Sequence, residues 1–153
     1  MKFVVIRDTR EKENKGWEWQ PSSFCAGTVN RKLDTGDYSL DGYEGVLAVE
    51  RKGSVAEWCH NVFEKRFEAE LERLSLFRYP FILLEFNMSD VMRFPVGSGI
   101  PRKLWNKLRI SGPLLLRKTI EIPVKYNINV LFVSKYGKDV ATSIFKRVVE
   151  CQN

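Results

Sequence analysis

Cysteine is scarce and poorly placed for chemistry: Cys25, Cys59 and Cys151 are the only three in 153 residues, odd in number and far apart. They lack the paired spacing of a zinc site or a disulfide framework, so they read as small buried hydrophobes in a reducing compartment. No apolar run is long enough to span a bilayer, and the one in "MKFVVIRD" is too brief for the core of a signal peptide. The expectation is a soluble intracellular protein, in the cytoplasm or the nucleoid or nucleus, without a membrane partner. No internal repeat or low-complexity segment appears, which leaves one folded domain across residues 1–153.

Hydrophobic residues make up 44% of the chain, enough for one substantial core. Twenty-five Lys and Arg against 19 Asp and Glu give a net charge of +6. The resulting pI near 9.3 favours a polyanionic partner without identifying one.

"KFVVIRD" is short and β-branched and ends in charge, which predicts a buried first strand with Asp8 at its tip. "TREKENKGWEWQPSS" reads as a polar loop. The stretch from Phe24 to Lys52 carries strand-like pieces between turn signals, which predicts an antiparallel meander ending in a strand from Val46 to Lys52. From Val55 to Phe77 the apolar residues recur at helical spacing, in one long helix or two abutting ones. "YPFILLEF" and "INVLFVS" read as buried strands. The stretch "NMSDVMRFPVGSGIPRKLWNK", with Pro95, Gly97, Gly99 and Pro101 close together, reads as a loop, and a helix is expected from about Arg102 to Lys125, broken near Ser111 to Pro113 and ending by Pro123. "KDVATSIFKRVVEC" closes the chain as an amphipathic helix. Strands interleaved with helices predict an α/β sandwich with a mixed central sheet.

The stretch "LAVERK" carries the chemistry. Alternation along a strand puts Glu50 and Lys52 on one face and Val49 and Arg51 on the other. The turn "TGDY" places Asp37 at the start of the preceding hairpin, where it could reach the same edge, and Asp8 is a third candidate carboxylate. Converging carboxylates beside one ammonium suit metal-assisted phosphodiester hydrolysis, with hard oxygen ligands for Mg²⁺ or Mn²⁺ and a lysine to orient water or offset charge. Taken alone, the same residues also fit a solvated strand end and a turn.

"VVIRDTRE", "KLDTGDYSL", "LAVERK" and "EKRFEAELERLSLFRYPFILLEF", in that order, resemble the nuclease domain of the XPF-type structure-selective DNA endonucleases. The resemblance covers residues 3 to 86, and the remainder fits by element order. It implies a restriction-endonuclease-like three-layer sandwich, a central mixed β-sheet flanked by helices. It also implies cleavage of DNA near junctions of single and double strand, with Mg²⁺ or Mn²⁺. Asp8, Asp37 and Glu50 match the acidic residues of the metal site, and Lys52 matches the catalytic lysine, with Arg51 beside it. Glu11 and Arg66 match supporting positions, the first near the site and the second towards substrate phosphate.

The chain departs from the family pattern where an aspartate usually stands four residues after this lysine. Ala56 occupies that place, and Glu57 follows it in the first turn of the predicted helix. No helix-hairpin-helix module is recognisable, so either another subunit or the chain's own basic segments must grip DNA; the candidates are "RKLWNKLR", with Arg102, Lys103 and Lys107, and "FKRVVE", and Trp17 and Trp19 could stack on unpaired bases. Pairing of two chains, identical or different, is expected through Ile144, Phe145, Val148 and Val149 of the last helix. Two other functions fit the same residues: a non-catalytic DNA-binding or scaffold subunit, and a restriction-type or repair nuclease with other targets.

Overall fold

Short β-branched and aliphatic runs form the centre of the molecule, where they pair into one sheet. The computed structural model of the chain describes residues 2–153. Its strands are β1 (Phe3–Arg7), β2 (Cys25–Asn30), β3 (Tyr38–Leu40), β4 (Leu47–Lys52), β5 (Tyr79–Leu84) and β6 (Asn129–Phe132), in the spatial order β2-β1-β3-β4-β5-β6. β1 runs parallel to β2, and β4, β5 and β6 run parallel to one another, whereas β3 pairs antiparallel with both β1 and β4. Every strand except β3 therefore points the same way. Asp8 after β1, Asp37 before β3 and Lys52 at the end of β4 consequently meet at one edge of the sheet.

Alternation along the strands sends side chains into two cores. Ala48, Ile82 and Leu84 pack with Trp58, Phe67, Leu71, Leu115 and Ile122 on one face. Helices α1 (Val55–Val62), α2 (Lys65–Ser75), α3 (Met88–Met92) and α4 (Gly112–Tyr126) supply that layer. Leu47, Val49 and Leu83 pack on the other face with Trp17, Trp19, Tyr38 and Phe145, the last from α5 (Gly137–Gln152). The three-layer sandwich with a mixed central sheet is as expected.

Four details differ from the sequence reading or resolve it. The meander is absent at its start, because β2 lies parallel to β1 at the sheet edge. Parallel neighbours need a crossover, and the loop between them provides one by carrying Trp17 and Trp19 beneath the sheet. Helical periodicity after Val55 belongs to two helices, since Glu64 between them is extended, with φ −87° and ψ 133°. The helix expected from about Arg102 begins only at Gly112. Residues Arg102–Lys107 form a 3₁₀ turn, and Ser111 caps α4, its hydroxyl accepting from the Leu114 amide. That helix also runs through Pro123 to Tyr126, where Asn127 ends it in the left-handed conformation. Burial of Ile122 and packing of Tyr126 against the core outweigh the one backbone bond that Pro123 cannot make. Finally, α3 interrupts the expected loop with a capping box, in which the Asn87 side chain and the Asp90 amide bond at 3.0 Å and the Asp90 side chain and the Asn87 amide at 2.9 Å.

A fully buried polar pair locks α1 to α4 within the helical layer. The Trp58 indole Nε1 donates to Thr119 Oγ1 at 2.9 Å, and that hydroxyl donates to the Leu115 carbonyl at 2.8 Å. Thr119→Val keeps the shape and leaves the indole without an acceptor, at a cost of about 1–3 kcal/mol. The urea midpoint of this variant is expected to fall accordingly, and an unchanged midpoint would show that the indole is not confined there.

Candidate active site

The turn before β3 positions the first carboxylate. Gly36 has φ +83°, and a Cβ there would lie 3.2 Å from the Val49 carbonyl, so glycine lets the turn lie against β4. Asp37 is then tied three times: its amide donates to the Val49 carbonyl at 2.8 Å, its carbonyl accepts from the Asp8 amide at 2.8 Å, and its Oδ2 accepts from the Arg51 amide at 2.8 Å. The ends of β1 and β4 are joined through this one residue.

Glu50 and Lys52 project from the same face of β4, as alternation requires, with Lys52 Nζ 3.6 Å from Glu50 Oε1. Lys52 is only 7% exposed, and its ammonium also lies 5.3 Å from the centre of the Phe67 ring and 4.0 Å from Glu57 Oε1. Ser54 makes the last contact possible by capping α1, its hydroxyl accepting from the Glu57 amide at 3.2 Å. A carboxylate thus reaches the lysine from Glu57 although Ala56 holds the position where an aspartate was expected.

Arg51 points to the opposite face. Its guanidinium lies 2.8 Å from Glu85 Oε1 and 3.4 Å from Glu11 Oε2, and its side chain is 10% exposed. Arg51 therefore clamps the loop after β1 and the end of β5 to the strand that carries Glu50. Glu85 is a partner that sequence reasoning missed.

Asp8 is 1% exposed, and both of its oxygens are engaged, Oδ2 by Arg10 Nε at 2.6 Å and Oδ1 by the Leu33 amide at 2.8 Å. It borders a cleft of about 220 Å³ that Asp37 and Glu50 also line, together with Arg10, Asp34, Glu70 and Arg73. Glu70 and Arg73 had been overlooked. Glu70 is one turn from both Phe67 and Leu74 of α2 and Arg73 adjoins Leu74, so they stand at the border of its buried face. Arg66, Arg102, Lys103 and Lys107 do not line this cleft. Arg66 is paired with Glu64 at 2.8 Å, and the other three are exposed on the 3₁₀ turn, where the Arg102 guanidinium lies 5.5 Å from the Trp105 ring. Trp17 and Trp19 are unavailable to stack on bases, being 8% and 4% exposed. Trp17 stacks on Tyr38 and Trp19 donates to Thr142.

Burial dominates the electrostatics of the carboxylate pair, with repulsion from neighbouring carboxylates added at Asp37. Asp37 titrates well above its ordinary value, chiefly because it is desolvated and then because Glu50 and Glu11 stand near it. Glu50 is raised by burial as well, although Lys52 pulls it down. A shared proton or a cation relieves such a pair. The two carboxylates fit Mg²⁺ or Mn²⁺, because Mg²⁺ retains waters and is commonly held by one or two protein carboxylates. Among the described residues no His, Cys, Asp or Glu completes a set of three around a common point.

Both groups bind protons more tightly folded than unfolded, so the folded state gains stability below the ordinary carboxyl values of 3.8 and 4.5 and loses it as pH rises through the raised ones. Asp37→Asn keeps an acceptor for the Arg51 amide and removes the charge. In denaturant titrations without added metal it is expected to be more stable than wild type at about pH 7 and to lose that advantage near about pH 4. Equal stability at both pH values would contradict the repulsion.

No family model matches the chain, and neither does any curated protein sequence. Among solved structures it is similar to XPF from Aeropyrum pernix, with a TM-score of 0.64 and 18% identity over 95% of this chain and 65% of that one. It is also similar to the same protein in complex with DNA, with a TM-score of 0.65 and 19% identity over 97% of this chain and 66% of that one. The chain spans just under two thirds of the length of those XPF chains. What the strand order, the two cores and this likeness establish together is a fold: the chain has the restriction-endonuclease-like α/β fold of XPF.

Proposed function

We propose that the protein is a metal-dependent endonuclease that hydrolyses phosphodiester bonds in branched or junction-containing DNA, with Mg²⁺ or Mn²⁺ as cofactor. The observation that carries this reading is the pairing of Asp37 and Glu50 in a cleft, with Lys52 beside Glu50 on the same strand face. The XPF solved with DNA has the same fold, which supports DNA as the substrate class.

Asp37 and Glu50 would hold the cation, with Asp8 bordering the same cleft. A divalent ion there supplies Lewis-acid polarisation of the scissile phosphate and lowers the pKa of the attacking water. Lys52, held between Glu50 and Glu57, orients that water or offsets charge on the phosphate. Arg51 keeps β4 in place through Glu11 and Glu85 while its amide aims the Asp37 carboxylate. Arg66, Arg102, Lys103 and Lys107 act away from the cleft, on the phosphates of the flanking DNA. Pairing of two chains belongs to the same reading, supported by a shallow apolar hollow between Tyr79, Phe81, Ile144 and Val148. Phe145 is committed to the chain's own core.

A non-catalytic DNA-binding subunit is the second reading, favoured by Ala56 and by the engagement of both Asp8 oxygens with Arg10 and Leu33. Incubation of the pure protein with fork, flap, four-way and linear DNA separates the two. The nuclease reading expects cleavage of branched substrates with Mn²⁺ and none with chelator. Asp37→Asn and Glu50→Gln are expected to lower the rate by more than the roughly 100-fold that loss of an outer-shell partner costs a metal site. Cutting at the wild-type rate by either variant would remove these residues from the mechanism.

A further inference from the structure

Beyond Glu57 the surface becomes cationic. A hollow of about 380 Å³ is lined by the cations Lys15, Arg51 and Lys135 and by two acids, Glu57 and Glu85, of which Glu85 is paired with Arg51. Glu57 links it to the cleft by way of Lys52, whose Nζ is 4.0 Å from Glu57 Oε1 and 3.6 Å from Oε1 of Glu50, which lines the cleft. Lys135 sits in the turn Ser134–Tyr136 that leads into α5, and Lys138 and Lys146 follow on that helix. Lys138, Thr142 and Lys146 are four residues apart and share one flank, about 12 Å from first to last at a rise of about 1.5 Å per residue. A second hollow, of about 450 Å³, runs beside that flank between Lys138, Thr142, Trp19 and Phe24, and Asp139 is the one acid that lines it.

These lysines are exposed and their charges are uncompensated. Lys135 lies 5.3 Å from the Tyr136 ring centre, Lys138 lies 5.7 Å from that of Trp19, and Lys146 lies 3.9 Å from that of Phe24. None of them, nor Lys15, makes a salt bridge among the described residues. On the same helix Arg147 is neutralised by Glu150 at 2.8 Å, so the open charges are confined to one flank. A ring beneath a lysine stem covers its apolar length and holds the ammonium in place while leaving it free to meet an anion.

We propose that Lys15, Lys135, Lys138 and Lys146 form a phosphate track for the backbone of a nucleic-acid strand leaving the catalytic cleft. The direction of the track rests on the nuclease reading, whereas its affinity for the strand does not. The Trp19 ring beneath Lys138 is 4% exposed and closed to bases, whereas the Tyr136 ring beside Lys135 is 56% exposed, so the lysines hold phosphates and Tyr136 is the one ring of the track open to stacking. The apolar hollow by Ile144 and Val148 lies on a different side of α5, lined by other residues than the track, so strand binding and pairing of chains do not compete for the same side chains.

The test is binding of a labelled oligonucleotide, single-stranded and with a duplex arm, to the full chain in chelator across a range of salt. Lys135→Gln/Lys138→Gln/Lys146→Gln keeps the stems and removes the charges. Each phosphate contact contributes about 0.7–0.9 to the slope of log affinity against log salt, so the triple variant is expected to flatten that slope by roughly 2–3 for every sequence tried. A matched variant, Lys2→Gln/Lys32→Gln/Lys125→Gln, carries the same change of net charge at other exposed sites and is expected to leave the slope nearly intact. Equal losses in the two variants, or none in either, would overturn the track. So would loss of binding to phosphatidylserine vesicles with oligonucleotide binding retained. Failure of the wild type to cleave with Mn²⁺ would sink the nuclease reading and leave this binding result standing.

Discussion

The hydrogen bond from the Arg51 amide to the Asp37 carboxylate is the contact on which the site depends. It binds the turn before β3 to the end of β4 and thereby sets Asp37 beside Glu50. The Asp37 backbone continues the junction, bonded on one side to Val49 and on the other to Asp8. Only a turn with glycine at position 36 approaches β4 closely enough for this, since that residue lies at positive φ against the Val49 carbonyl. The arrangement forces two carboxylates together in a partly desolvated cleft, where burial favours the neutral form of both and Glu50 opposes the ionisation of Asp37. That electrostatic tension is what a bound cation or a shared proton removes.

β4 divides its labour between its faces. One face presents Ala48 to the helical core and then Glu50 and Lys52 to the cleft. The other presents Leu47 and Val49 to the second core and then Arg51 to Glu11 and Glu85. Glu50 and Lys52 are therefore braced from behind by an ion-pair clamp that holds the β1 loop and the β5 end in register. Removing one partner of such a clamp leaves a largely buried charge without its counterion, which is more damaging than the pair itself is stabilising.

Much of this was legible in the sequence, because period-two alternation depends on local geometry alone. Reading "LAVERK" as a strand is enough to put Glu50 and Lys52 on one face, and "TGDY" as a turn brings Asp37 to the same edge. What was not legible depends on partners distant in the chain. Trp17 and Trp19 stand among charged and polar neighbours and look available for bases, but Tyr38, Phe145 and Thr142 bury them. Their burial also turns the loop after β1 into a crossover, which is why a meander was expected where β2 runs parallel to β1. The engagement of Asp8 joins a neighbour two residues away to the Leu33 amide of another loop, and no motif records such a meeting. In α4 the local rule at Pro123 yields to burial of Ile122. The capping box of α3, by contrast, was readable at Asn87 and Asp90.

The central claim is that Asp37 and Glu50 form one charge-strained pair that exchanges a proton for a divalent cation. Calorimetric titration of Mn²⁺ into the full chain, near neutral pH and in two buffers of different ionisation enthalpy, addresses it directly. The account predicts one binding event per chain, accompanied by proton release that disappears when Glu50 is replaced by Gln. Binding that releases no proton, or that is indifferent to Glu50, would contradict it.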